Sequence, residues 1–251
     1  MTQLIDTHVH LHLCKESPEI LVNRAKAVGI SAMVNVATDL ASSRHNLVLA
    51  KQFPEVFPTA GIHPSEMTDL NLISELETLI KEHRFVAIGE VGIDYYHADN
   101  PPSEIQIAGF RAQLELAQKY NLPVIIHTRS AAEDTLKIVK EFPDVTKVFH
   151  CFSESPEFIA KAASPNTYFS FTGMITYTNK SAILNSILAV DMDHIMIETD
   201  CPYLTPTSLG KVPNEPSFVI EVVKKIAQTR NLSFEEVAHR TTANAHTFFR
   251  F

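Results

Sequence analysis

The chain carries no excess of positive charge: 21 lysines and arginines stand against 29 aspartates and glutamates, a formal charge of −8. That balance argues against a broad basic surface for clamping nucleic acid nonspecifically. It still permits a phosphate substrate, because divalent cations reverse the local field inside a site. Also missing is any apolar run near the roughly 18 residues that would span a bilayer. The start, Met1-Thr2-Gln3, has no basic residue, so a cleavable signal peptide is not expected. Cysteine is sparse. Cys14, Cys151 and Cys201 lack the spacing of a metal motif and predict reduced thiols in the cytoplasm. Internal repeats, low-complexity segments and linkers are absent too, which predicts a single domain over residues 1–251.

What is present is an alternation. Strand-like runs fall near residues 3–9, 31–37, 56–61, 85–90, 123–128, 146–150, 167–171 and 194–198. Amphipathic stretches separate them near 17–29, 41–53, 72–83, 103–121, 131–142, 156–164 and 179–189. Repeated strand–helix alternation implies a parallel sheet covered by helices. Eight repeats in about 250 residues favour an α/β fold closed into a TIM (β/α)8 barrel. Ser17-Pro18 and Ser155-Pro156 read as helix starts, and Ser103/Gln106 and Ser233/Glu236 have capping-box spacing. Gly29 fits a left-handed helix end. A Pro-rich stretch from Pro202 to Pro216 follows the last strand and predicts a stiff loop over the rim. Two further helices are expected, one opening at Asn214-Glu215-Pro216 and running to about Arg230, the other over roughly 234–247.

Chemistry-bearing residues sit where the apolar runs stop: His8 and His10, Glu90, His127, His150 and Asp200. In a parallel barrel those ends meet on one rim, where active sites are built. His8 and His10, two apart on a strand, face one side and can grip one ion. Glu90, with Gly89 and Gly92 nearby, has two oxygens for two ions; His127 and His150 complete a second set. Asp200 is expected to bind the first ion and to hold or deprotonate its water. Glu198 is read as a structural carboxylate one layer deeper, and His12 as lying beyond the rim. Imidazoles with carboxylates suit zinc, manganese, cobalt, nickel or iron better than magnesium. Two such ions about 3.5–4 Å apart would activate a hydroxide and stabilise a phosphoryl displacement. His63 is a candidate donor to a substrate phosphate and Arg129 a phosphate contact, while Tyr95, Tyr96 and Tyr203 are candidates for stacking on a base. Cys151 and Cys201 are read as small packed residues.

With these residues placed, the chain resembles the TatD family of metal-dependent deoxyribonucleases. The matching segments are Ile5-Asp6-Thr7-His8-Val9-His10, Gly61-Ile62-His63-Pro64, Gly89-Glu90-Val91-Gly92-Ile93-Asp94-Tyr95-Tyr96, Leu122 through Arg129, Phe149-His150-Cys151-Phe152-Ser153, Phe171-Thr172-Gly173-Met174, Glu198-Thr199-Asp200 and Asn214-Glu215-Pro216. The resemblance implies a distorted (β/α)8 barrel, with His8, His10, Glu90 and Asp200 on one divalent ion and Glu90, His127 and His150 on the other. It implies DNA hydrolysis, stepwise from the 3′ end; the sequence itself gives no expectation of an obligate protein partner or of a membrane. The chain departs from the family pattern at Ser65, Glu154 and His97, and its last loop keeps only Lys211 as a basic substrate contact. The competing expectations are another hydrolase on the same barrel (an amidohydrolase, lactonase or aminoacyl-ester hydrolase) and a non-catalytic metal- or nucleic-acid-binding module. Many such amidohydrolases bridge their metals through a carboxylated lysine, and no lysine stands near Glu90.

Overall fold

The computed structural model describes residues 3–177 and 181–251. Eight strands run in chain order around one sheet: β1 (Leu4–Val9), β2 (Ile30–Asn35), β3 (Val56–Ala60), β4 (Ala87–Asp94), β5 (Val124–Arg129), β6 (Lys147–Phe149), β7 (Thr167–Phe171) and β8 (Ile195–Ile197). Each pairs in parallel with the next. The last seam, between β8 and β1, is thin. It carries one isolated bridge, Val9 to Cys201, with Asp200 N donating to His8 O and His10 N to Cys201 O. The barrel is therefore the expected TIM type, nearly closed.

The helices between strands are α1 (Pro18–Ala27), α2 (Leu40–Gln52), α3 (Leu72–Glu82), α4 (Ser103–Tyr120), α5 (Ala132–Val139), α6 (Pro156–Ala162) and α7 (Ser181–Ala189). Two more, α8 (Val219–Arg230) and α9 (Phe234–Phe249), end the chain. Ser17 and Ser233 cap α1 and α9 through their side-chain oxygens, as expected. The Ser103–Gln106 box does not form. Pro102 occupies the N-cap and has no N–H to offer the box. Gln106 instead accepts from Asp94 N at 2.9 Å and donates to Asp94 O and Pro101 O. Ser155 precedes α6 but its hydroxyl caps no backbone amide. α5 and α6 stop short of their expected ends, ahead of Pro143 and Pro165, whose rings disfavour helical backbone in the preceding residue. The first two residues of the stretch expected at 179–189 lie outside the described residues. A 3-10 turn, Pro216–Phe218, opens the segment before α8.

Apolar packing closes one end of the barrel and leaves the other to polar groups. Ile5, Val34, Ala87, Ile125, Val148 and Met196 form a cluster with Phe248 and Phe249 of α9, which floors the barrel. A larger cluster lies between strands and surrounding helices, with Phe110, Leu114, Ile126 and Val223 fully buried. Lys147, at the start of β6, is buried with Nζ donating to Phe142 O. Burial pushes its ammonium down to about 8. Between that value and about 10.5 the folded state is neutral while the unfolded chain still holds the proton. The unfolded state then binds more protons, so stability rises with pH across this window. Urea titrations from pH 7 to 10.5 are expected to show wild type gaining on Lys147→Met; a pH-independent difference would contradict this.

Candidate active site

β4 is longer than the sequence suggests. It continues four residues past Glu90, to Asp94, and pairs with β5 as far as Arg129. Glu90 is therefore inside the strand, not at its end. The register with β5 shifts between Ile88 and Val91, an irregularity of the kind that re-aims a side chain. The glycines on either side are required by close approach. A Cβ on Gly89 would lie 2.6 Å from Ile125 Cβ, and one on Gly92 (φ +142°) 2.0 Å from His127 O.

Around Glu90 the strand ends converge. Its Oε2 lies 3.3 Å from His8 Nε2 and 3.7 Å from His10 Nε2. Those two nitrogens are 3.1 Å apart, and Asp200 Oδ1 is 3.4 Å from His10 Nε2 and 3.8 Å from His8 Nε2. Four ligand atoms bound tetrahedrally at about 2.0–2.2 Å lie roughly 3.3–3.6 Å from one another. The observed separations bracket that range. His10 Nδ1 sits 3.0 Å from Val36 O, which can only accept, so Nε2 is left free to ligate. His8 Nδ1 is buried without a hydrogen-bond partner, and the polar group facing buried His150 Nδ1 is the Glu198 carboxylate at 3.4 Å, an ion-pair contact rather than a well-formed hydrogen bond.

Glu90 Oε1 faces a second set. His150 Nε2 is 2.7 Å away, His127 Nδ1 2.9 Å and His63 Nε2 3.6 Å. All six residues expected as ligands, and His63, thus meet in one cluster on one rim of the barrel. His63 differs from His10 in its tautomer. Its Nδ1 accepts from Ser65 N at 3.1 Å, and a backbone amide cannot accept in return, so the neutral ring carries its proton on Nε2. Burial pushes the ring down to about 3, keeping it neutral. It is a hydrogen-bond donor aimed at the cluster.

Electrostatics tie the rest together. Burial alone would raise the Glu90 carboxyl; His150, His127 and His63 outweigh it and hold the group well below the usual range. Burial would likewise depress His150, but Glu90 and Glu198 raise it well above its ordinary value. For His10 and His127 the hydrogen bonds they donate to Asp200 and to Asp94 outweigh burial and raise both rings. Burial and the neighbouring His150 lower His8. Asp200 overcomes its burial through the His10 bond and stays below the ordinary aspartate value.

Two carboxylates had no active role in the sequence reading. Asp94 Oδ2 lies 3.2 Å from His127 Nε2 and orients that ring. It stands four residues beyond Glu90 on the same strand, a parity that signals a shared face once β4 is given its full length. Glu198, read as structural, holds the cluster from below: it accepts from Cys151 N and Ser170 Oγ, both at 2.6 Å, and its Oε1 is 3.4 Å from His150 Nδ1. Glu198→Gln is expected to weaken divalent-cation binding by about 10–100-fold with the fold retained. Calorimetric titration checks this; unchanged affinity would limit Glu198 to bracing the Cys151 loop.

The remaining candidates divide. Tyr95 donates its hydroxyl to Asp134 at 2.8 Å and packs against the core, whereas Tyr96 is exposed with the Arg129 guanidinium 3.9 Å from its ring centroid. Arg129 also meets His97 Nε2 at 3.1 Å. Tyr203 and Lys211 are exposed on the loop after β8, which Asn214 anchors by donating to Thr199 O and Tyr203 O. His12 is half-buried in a 3-10 turn, Leu11–Leu13, beside His10. Cys201 is fully buried, and Cys151 Sγ lies 3.6 Å from Thr172 Oγ1.

A barrel carrying imidazoles and carboxylates in two facing sets on its rim defines a metal-dependent hydrolase. Comparison with known proteins gives the family. The family described as TatD related DNase matches residues 5–250, and the chain belongs to it. The metal-dependent hydrolase YabD of Bacillus subtilis is 36% identical over 98% of this chain and 99% of its own length. The 3′-5′ ssDNA/RNA exonuclease TatD of Salmonella typhimurium is 31% identical over 91% of both chains. Among solved structures, the TatD homologue YJJV from Escherichia coli K12 superposes with a TM-score of 0.93 at 26% identity, covering 100% of this chain and 99% of that one. No described helix is long and apolar enough to cross a membrane.

Proposed function

We propose that this chain is a phosphodiesterase that uses two divalent cations to shorten single-stranded or frayed DNA from its 3′ end. The observation that carries the reading is the division of Glu90: one oxygen faces His8, His10 and Asp200, the other His127 and His150. A group so placed would hold two cations, with no lysine needed between them. Such ions supply positive charge that screens the phosphate and lowers the pKa of water toward about 7. Zinc, manganese, cobalt and nickel fit the imidazole-rich donors; magnesium fits them less well.

The protein groups supply the remaining steps. Asp200, ionised and with a partly exposed carboxylate, orients the attacking water and takes its proton. The His63 Nε2–H donates to a phosphoryl oxygen as charge builds there. Asp94 and Glu198 keep the His127 and His150 rings from turning. Outside the cluster, exposed Tyr96, Tyr177 and Tyr203 follow β4, β7 and β8, where they can stack on unpaired bases. That favours single strands over duplex, whose bases are already stacked, and it replaces the broad basic surface that the chain lacks. The substrate class follows the Salmonella relative's printed activity.

Arg129, its guanidinium carbon 3.9 Å from the Tyr96 ring centroid, is a cationic contact beside this platform. Arg129→Ala is expected to raise KM for single strands several-fold, leave kcat nearly unchanged and reduce the salt slope of binding by about 1. The substrate reading is tested with 5′-labelled single-stranded DNA, blunt duplex and RNA. A ladder shortening from the 3′ end, fastest on single-stranded DNA, supports it. Equal cutting of blunt duplex, or endonucleolytic fragments from a circular strand, would overturn it.

A further inference from the structure

Outside the proposed catalytic groups, one pair of nucleophiles is brought together across the thinnest part of the barrel. Cys14 Sγ and Cys201 Sγ lie 3.9 Å apart although 187 residues separate them. Cys14 ends the 3-10 turn that follows β1 and is half-buried; Cys201 follows Asp200 and is fully buried. Between them runs the β8–β1 seam, with its single bridge from Val9 to Cys201 and the bond from His10 N to Cys201 O. Cys14 Sγ also lies 3.5 Å from His10 O. Cys151, bonded to Thr172, takes no part.

We propose that Cys14 and Cys201 are an oxidative modification site at which a peroxide staples the β8–β1 seam with a disulfide. A disulfide needs sulfurs about 2.05 Å apart, so they must close by roughly 2 Å. Cys14, half-buried where Cys201 is fully buried, is the one that would shift. The reaction balances with hydrogen peroxide as oxidant. The Cys14 sulfur attacks one peroxide oxygen, the O–O bond breaks, and hydroxide leaves and takes up the thiol proton as water. The Cys201 sulfur then attacks the sulfenic sulfur, the S–O bond breaks, and a second water leaves with the Cys201 proton. Two thiols and one peroxide give one disulfide and two waters. The half-buried thiol meets the oxidant and the fully buried one resolves it.

The link would join the strands that carry His8, His10 and Asp200 by a covalent bond where hydrogen bonds now hold them. It removes the freedom of a very long loop from the unfolded chain, so the oxidised protein is expected to melt at least about 5 °C higher. The inference does not depend on which ester the site cleaves.

The test treats the intact chain with hydrogen peroxide, counts thiols, maps the peptides by mass spectrometry and records the melting midpoint, beside Cys14→Ser and Cys151→Ser variants. The expected result is loss of two of the three thiols, a Cys14–Cys201 linked peptide, a raised midpoint and reversal by dithiothreitol. Cys151→Ser should behave as wild type and Cys14→Ser should show neither link nor shift. Persistence of all the thiols, Cys14 recovered as sulfinic acid without a link, or a linked protein with an unchanged midpoint would overturn the proposal. So would an equal midpoint rise in Cys14→Ser.

Discussion

Glu90→Gln is expected to lower phosphodiesterase turnover by about 10³-fold and to reduce the number of cations retained. The substitution keeps the volume and one oxygen but removes the charge shared by both halves of the cluster. Charge stabilisation by bound cations is worth several kcal/mol in the transition state, and each 1.4 kcal/mol is a factor of ten. The effect extends to the protonation of the neighbouring imidazoles. Glu90 is the first favourable influence raising His150, so its loss should let that ring titrate lower. In the wild type, a cation must displace protons held on raised imidazoles, so binding should release protons and strengthen as pH rises through the range of those rings. Titration calorimetry in buffers of different ionisation heat measures the release. Glu90→Gln should release fewer protons and bind fewer ions; a variant with wild-type stoichiometry and turnover would refute the bridging role.

Asp200→Asn should cost about 10²–10⁴-fold in kcat, the usual worth of a positioned general base. The choice of asparagine matters for the backbone. Asp200 has φ +56°, in the left-handed region that asparagine and aspartate tolerate better than alanine does. The amide thus removes charge and basicity while preserving the turn that delivers the side chain from β8. Its far-UV spectrum and melting midpoint should match wild type. Turnover within about threefold of wild type would assign the proton-accepting step elsewhere in the cluster.

The barrel was readable because strand and helix alternate with few ambiguous runs, and because ligand-type residues recur where apolar runs stop. His8, His10, His127, His150 and Asp200 needed only that rule. Glu90 satisfied it for the wrong reason: the apolar run breaks there, yet the strand continues through Gly92 to Asp94. Mixed polarity inside a barrel looks like a strand end when it is an inward-facing site. Asp94 was lost with it, placed past a boundary that does not exist. Gln106 shows the converse, since its spacing from Ser103 signals a capping box but Pro102 denies the box its N–H, and the side chain serves Asp94 instead. Tyr95 and Tyr96 are adjacent and chemically alike; only the packing against Asp134 and Arg129 separates them. The Cys14–Cys201 proximity was invisible for a simpler reason. It is made by closing the barrel, and no local pattern reports which distant residues share a seam.

The most direct test of the account combines cation stoichiometry with cleavage. Metal-stripped protein is titrated with Mn²⁺, Co²⁺ or Zn²⁺ and sampled on end-labelled single-stranded DNA at each step. Two bound equivalents, with cleavage rising as the second set fills and absent in Asp200→Asn, is the predicted result. Two equivalents bound with no phosphodiester cleaved under any of these ions would contradict it and leave the same metal centre serving a different bond.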